Sequence, residues 1–441
     1  MSLPQSNAKQ AGAPSALGIP QRIWRLILSV GPGVFGVGYT IGTGSVTTMC
    51  KAGSLVGLEL LWLLALCCLF MGVLMEAFGR YAVVTGEPAI HSFKRHLRGG
   101  KTIAILVIIG VVLAQYGAIM GILGLCSSMI VEVLQENAPG IVTSVYWARL
   151  LVAVVIAIAL YAVVLVGRYA FFEKVLVFFV TLMGLAFLFA MVVVMPPPSA
   201  FLRGLIPGIP QKEGAFVLVP AMVGTTMAAA TFVVRPLLVK AKGWTIAQMA
   251  DQTRDSVTAA VLMFVISTAI MASAAGTMYA QGHVVEKVMD MVQALEPAAG
   301  ELAVALFFAG ALSAGLSSLL PIMMVAPLLI ADYRDGKMET KSPMFRILCG
   351  VACLVGLSVP ILGFNPIQAQ IASQVGGVFV LPLSIGAMVY LVNRRDLMGT
   401  HRAGPLLNVG LVTALLFSFY ITYTGCVAIG AAVETFFTGQ G

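Results

Sequence analysis

Apolar residues run through this chain in long blocks separated by short breaks rich in charge, proline or glycine. A helix that crosses a bilayer needs about 20 mostly apolar residues. Blocks of that length predict spans near 26–50, 55–79, 102–134, 147–167 and 174–195, then near 215–239, 256–280, 301–331, 345–363, 368–392 and 405–433. The breaks between them, such as His91–Gly100 (HSFKRHLRGG), Pro196–Ser199 (PPPS) and Asn393–Asp396 (NRRD), are segments that hydrocarbon does not accept. The pattern therefore predicts an all-α integral membrane fold of about eleven helices. It divides into a tail (1–22), a first set of five spans (23–200), a second set of five (201–400) and a final span (401–441).

Composition removes the alternative of a soluble fold. Hydrophobic residues make up 59% and charged residues 10% of the chain, against roughly 25% charged in soluble domains. The first residues are small and polar with no apolar core, so they read as a disordered cytoplasmic tail and not as a signal peptide. A net charge of +8 suggests a nucleic-acid partner only if the basic residues cluster, and they are scattered through short loops. With the amino terminus inside, all of the 26 lysines and arginines but Lys51, Arg149, Arg203, Lys212 and Lys287 fall on inner segments. That bias places the amino terminus in the cytoplasm and, with eleven spans, the carboxyl terminus outside. Compact loops and short tails fit a bacterial inner membrane. The expected partners are the lipid bilayer and a small inorganic ion or solute, with no nucleic acid.

Catalysis is not expected. The chain has no nucleophile with a partnered base, no HExxH and no GxxxxGK[ST] loop, and no cofactor is implied. Its seven cysteines fall mostly in apolar runs, where cysteine packs as a small hydrophobe; Cys349 and Cys353, one turn apart, read the same way.

The informative feature is a pair of interruptions. Span one carries IGTGS (Ile41–Ser45), and span six, the first of the second set, carries GTTMAAAT (Gly224–Thr231). Matched breaks in corresponding spans point to a transporter of inverted repeats with its substrate at the breaks. Small residues there also serve close helix packing, the competing reading.

The segments GPGVFGVGYTIGTGSVTTMCKAG (Gly31–Gly53), LLWLL from Leu60, VVTGE from Val83, GLSS from Gly315, SQV from Ser373 and LPLSIGAMVYLVNRRDLMG (Leu381–Gly399) occur in order. In these the chain resembles the natural resistance-associated macrophage protein (Nramp) family of proton-coupled divalent metal transporters. The resemblance implies a leucine-transporter-type fold, with spans one to five and six to ten as inverted repeats and span eleven peripheral. Where the family has Asp-Pro-Gly-Asn, this chain has Gly42, Thr43, Gly44 and Ser45. Where the family has Met-Pro-His and a small polar residue, it has Met227, Ala228, Ala229 and Ala230, and Val234 stands at the second family histidine. Gln374 holds the place of the family's span-ten glutamine.

The expected substrate site is therefore Gly42, Thr43, Gly44, Ser45, Thr226, Met227, Ala229 and Gln374, with Met227 and Gln374 as the metal ligands if a metal is carried. Gln115, Tyr116, Ser317, Ser318 and Gln370 are further polar candidates on other spans. Glu76 is the one acidic residue expected well inside a span, a candidate proton or ion coupler that alternatively pairs with Arg80 one turn on. The functional expectation is a transporter of a cation, most simply a divalent metal. The alternative is a different small solute held by hydroxyls, amides and helix ends, because the family's ionic and imidazole ligands are absent.

Overall fold

The protein is described by a computed structural model covering residues 42–138, 140, 142–166, 178, 181–182, 184–185, 187–287, 290, 296–337 and 340–438. The expected tail (1–22), the start of span one (23–41) and, in span five, residues 174–177, 179, 180, 183 and 186 lie outside the described residues. The principal helices are α1 (Thr43–Val56), α2 (Leu61–Thr85), α3 (Ala89–His96), α4 (Gly100–Asn137), α5 (Val145–Val166), α6 (Ala215–Thr226), α7 (Ala229–Ala241), α8 (Met249–Ala274), α9 (Glu296–Asp335), α10 (Pro343–Gly356), α11 (Pro366–Gly377), α12 (Leu381–Asn393) and α13 (Pro405–Thr438).

Among the described residues nine helical segments are long and apolar enough to cross a membrane. They coincide with the expected spans two to four and six to eleven. A further pair, Phe187–Val193 and Pro198–Gly204, bends by 119° at the Pro196–Pro198 run, where the ring of each proline removes a helix donor.

Local chemistry sets several ends. Asn365 and Ser342 cap α11 and α10 by accepting from Ile367 N–H (2.9 Å) and Phe345 N–H (3.2 Å), each followed by a proline at the first helical position. Gly86 stops α2 at φ 67°, a left-handed conformation that glycine adopts without strain.

Burial sorts the helices. The apolar window of Ala215–Ala241 is 89% buried and that of Val145–Val166 only 17%, so span six forms the centre and α5 faces lipid with Leu151, Val155 and Ile158. Apolar side chains gain nothing by leaving lipid for one another, so helix contacts depend on close approach through small residues. At Gly53 of α1 a Cβ would overlap the Met271 carbonyl of α8, and no larger residue fits.

One end of the bundle is tied by polar contacts. Asp332, near the end of α9, accepts from the N–H groups of Ile90 (3.0 Å) and His91 (2.9 Å) at the start of α3. Lys94 donates to the Tyr333 carbonyl (2.9 Å) and Lys240 of α7 to the Gly336 carbonyl (2.9 Å). Glu87, just before α3, accepts from Ser92 (3.1 Å) and Arg95 (3.0 Å) and bonds His96 (2.9 Å). Burial alone would raise the Glu87 carboxyl, but hydrogen bonds from His96 and Ser92 and the charges of His96 and Arg95 outweigh it and hold the group below its ordinary 4.5. A depressed folded-state value contributes stability that is present above the unfolded value and lost as pH falls through the folded one. Hydrogen exchange in residues 88–96, corrected for intrinsic rate, is expected to rise as pH drops below 4.5, and Glu87→Gln should remove that rise.

Candidate functional site

The expected break in span six is present, and at the span-one site a helix begins at Thr43, the residues before Gly42 lying outside the described residues. Gly42 is extended (φ −94°, ψ −169°) and α1 starts after it with no side-chain cap, so the N–H groups of its first turn have no intrahelical acceptor. In span six the Met227 N–H closes the last bond of α6 on the Val223 carbonyl (2.7 Å), Ala228 leaves the helix at ψ 115°, and the ladder resumes with Thr231 N–H on the Ala228 carbonyl (3.0 Å). The donors of Ala228, Ala229 and Ala230 are skipped. The carbonyls of Gly224, Thr225 and Thr226 consequently lose their intrahelical partners.

Span ten runs through Pro366–Asn393 as one segment, as expected over 368–392, with a local 3₁₀ turn at Val378–Val380 between α11 and α12. The adjacent Gly376 and Gly377 lower helix stability at that point, and tertiary packing completes the change.

Between the start of α1 and the span-six break lies a cavity with about 30 Å³ of open space. Gly42 just before α1, Gly44 of α1, Gly224 and Thr225 of α6 and Ala228–Ala230 of the span-six break form part of its wall. Gln370, Ser373 and Gln374 of α11, Gln115 of α4 and Ser318 of α9 complete the polar lining. Among the described residues, no charged side chain lines it.

Three glycines make the enclosure possible. A Cβ at Gly44 would sit 2.6 Å from Gln374 Nε2 and 2.7 Å from Gln370 Nε2. One at Gly224 would run into the Gln374 carbonyl, and one at Gly42 into Ser318 Oγ. Behind the wall, Ser45 Oγ and Thr225 Oγ1 share a hydrogen bond of 2.9 Å that joins α1 to α6. Gln370 is fully buried, and neither its Oε1 nor its Nε2 has a hydrogen-bond partner.

The expected site residues divide accordingly. Gly42, Gly44, Ala229 and Gln374 are on the cavity, as are Gln115, Ser318 and Gln370. Ser45 supports the wall through Thr225, while Thr226 and Met227 are buried at the break without lining the cavity, and Tyr116 and Ser317 do not line it either. The side chain of Thr43 lies outside the described residues. Cys349 bonds the Met323 carbonyl (3.5 Å), and among the described residues no group of three His, Cys, Asp or Glu side chains is placed to hold a metal.

Glu76 stands apart from the cavity. Its Oε1 accepts from Arg80 Nη2 (2.7 Å), Arg80 Nε (3.0 Å) and Thr253 Oγ1 (3.2 Å), and its Oε2 from Gln252 Nε2 (3.3 Å). Gln252 links it to a residue that sequence reasoning missed. Arg235 of α7 is 1% exposed and donates from Nη2 to Gln252 Oε1 (2.8 Å), Asp255 Oδ2 (2.8 Å) and Ser256 Oγ (3.0 Å) of α8. The available signal was a lone arginine in the apolar run FVVRPLLV, since an ionised group inside a span needs a partner there.

Residues 33–428 match the natural resistance-associated macrophage protein-like family. The chain belongs to the Nramp family. The divalent metal cation transporter MntH of Clostridium acetobutylicum is 24% identical over 234 residues, which are 50% of this chain and 53% of that protein, so the match spans about half of that relative. The protein of the same name from Aeromonas hydrophila subsp. hydrophila is 24% identical over 415 residues, 90% of this chain and 95% of that one. The crystal structure of the Eremococcus coleocola manganese transporter in complex with an aromatic bis-isothiourea substituted compound has the same fold, with a TM-score of 0.70 at 15% identity over 96% of this chain and 90% of that one. The chain is a multi-pass integral membrane protein with the helical fold of Nramp transporters.

Proposed function

We propose that this Nramp protein is a secondary transporter carrying a divalent metal cation across a bacterial inner membrane, with its amino terminus cytoplasmic and its carboxyl terminus outside. The observation that carries the reading is the cavity between the start of α1 and the span-six break, whose open space of about 30 Å³ suits an ion with a water and not an organic solute. Relatives along most of its length are named divalent metal cation transporters. Oxygen donors for the cargo are the freed carbonyls of Gly224 and Thr225, the Gln374 and Gln115 amides and the Ser318 hydroxyl, a hard-ligand set. Carbonyls at the end of α6 carry the partial negative charge of a helix C-terminus, which favours a cation. Met227, the softest ligand in the expected set, reaches the cargo only after a rearrangement of the break, because it is packed away from the cavity.

The test is Mn²⁺ uptake into proteoliposomes holding the purified protein, with an internal metal-quenched dye, a pH dye and empty liposomes as control. Saturable entry above the control supports the reading. A folded protein that admits no Mn²⁺ refutes it and returns the cargo to the class of other small solutes.

Glu76 is engaged by Arg80, Thr253 and Gln252 in a structural ion-pair network away from the cavity. Glu76→Gln is expected to leave the pH dependence of uptake unchanged while lowering the melting temperature. A flattened pH profile with unchanged melting would make Glu76 the proton carrier instead.

A further inference from the structure

A divalent cation in this cavity meets an electrostatic difficulty. No carboxylate among the described residues lines it, and Gly42 stands where the family has aspartate. The wall also includes the N-termini of two helices, α1 with 14 residues and α7 with 13, neither with a side-chain cap. A helix N-terminus carries about half a positive charge, concentrated on its unpaired N–H groups. Gly44 in the first turn of α1 and Ala229 and Ala230 in the first turn of α7 all line the cavity. Part of this wall therefore repels a bare dication and attracts an anion.

Gln370 supplies the second, independent observation. Its side chain is fully buried on the cavity with both amide atoms unpartnered. One end of the amide lies against Gly121 of α4 and the other against Gly44 at the start of α1, so the amide group can turn its donor to the helix N-terminus. Gln374 Nε2 lies against the same glycine. Amide donors thus gather at a helix N-terminus that already presents backbone donors. Gln374 Nε2 has only a long contact to Ser373 Oγ (3.5 Å) and Gln370 Nε2 has no acceptor, a poor way to bury polar groups and a good way to hold a negative ion, since charge-assisted hydrogen bonds are the stronger ones. The open space admits a monatomic anion and excludes an organic acid.

We propose that a small inorganic anion binds in this cavity, held by the Gln370 amide and the N-termini of α1 and α7, as the counter-ion that replaces the family carboxylate beside the transported cation. The counter-ion role rests on the cation reading above; the anion site itself does not. The cation sits toward the freed carbonyls of α6 and the anion toward the two N-termini, so each lowers the cost of the other. Binding of the two is cooperative.

The test uses the full-length protein and chloride as the probe. Radiolabelled chloride is expected to bind saturably to the purified protein, to be displaced by bromide, and to bind more tightly with Mn²⁺ present. Gln370→Leu, which removes the amide donor, should weaken chloride binding by about tenfold. Gln370→Glu, nearly isosteric and carrying its own negative charge, should abolish chloride binding and make Mn²⁺ uptake equal in chloride and gluconate media. Wild-type uptake should be faster in chloride than in gluconate.

Absence of saturable chloride binding to folded wild-type protein overturns the proposal, and so does wild-type chloride affinity in Gln370→Leu. The two readings fail separately. Chloride binding without Mn²⁺ entry in either medium keeps the anion site and removes the cation cargo. Equal Mn²⁺ entry in both media with no chloride bound does the reverse.

Discussion

Replacing Arg235 with methionine is expected to destabilise the protein by about 3–5 kcal/mol, the largest effect of any single substitution outside the cavity. The guanidinium is 1% exposed and the Asp255 carboxylate 4%, with 2.8 Å between them, so removal of the cation breaks a buried ion pair from one side. It also frees the acceptors of Gln252 and Ser256, which Arg235 Nη2 satisfies at 2.8 and 3.0 Å. Lysine should substitute only in part, because its stem is one atom shorter and carries the ammonium short of the place where Nη2 meets Gln252, Asp255 and Ser256. Removing both charges is a different matter, since a buried pair costs much of what it contributes. Arg235→Met combined with Asp255→Asn should therefore recover most of the loss. Melting curves of the four proteins in one detergent decide this, and a double variant no better than Arg235→Met would show that the arginine acts by something other than pairing with Asp255.

Position adds a functional side to the pair. Arg235 follows the break at Ala228 by seven residues, about 10 Å along α7. It fastens the half of span six beyond the break to α8, and Gln252 carries the connection to Glu76 and Arg80 on α2. A broken span can swing about its break only if such fastenings release, so this network resists movement of α7 relative to α8 and α2.

The sequence was most legible where one physical rule dominates. Hydrocarbon thickness fixes span length, and nine spans sit where the apolar runs placed them. The helix start at Thr43 was legible from Gly42 and Gly44, and the span-six break from the small-residue patch around Met227, because such residues weaken a helix wherever they occur. Gln374, Gln370, Gln115 and Ser318 were legible as polar groups in apolar spans. What remained hidden depends on relations between helices. Met227 falls at the break yet does not line the cavity, and the 3₁₀ turn at Val378–Val380 depends on packing as well as on the Gly376–Gly377 pair before it. Arg235 was counted with the basic residues of the inner segment after span six, because position along the chain does not reveal an Asp255 waiting on the next helix. Unwinding and close packing were both open readings of these glycines, and Gly224 and Gly44 are required by the carbonyl and amide groups of Gln374 packed against them.

That last relation gives the second large expected effect, which concerns the missing carboxylate. Restoring it as Gly42→Asp is expected to fail alone. A Cβ at residue 42 would overlap Ser318 Oγ and lie 2.7 Å from Ser318 Cβ, and that serine is held on α9 by its bond to the Ala314 carbonyl (2.9 Å). Overpacking of this kind costs about 1–3 kcal/mol, and the displaced serine would push α9 from α1 at the point where both line the cavity. The single variant should melt earlier and lose uptake. Gly42→Asp with Ser318→Gly removes the obstructing Cβ and hydroxyl together, so melting should return toward wild type. The carboxylate then supplies a charged oxygen ligand, and Mn²⁺ binding should strengthen by at least about tenfold, the equivalent of 1.4 kcal/mol. Chloride dependence should vanish in the same protein, since the cavity would carry its own negative charge. Isothermal titration with Mn²⁺ in chloride and in gluconate measures both effects. A single variant as stable as wild type would mean that Ser318 yields easily and packing does not explain the glycine. A double variant that is folded but binds Mn²⁺ no more tightly would mean that residue 42 does not face the cation.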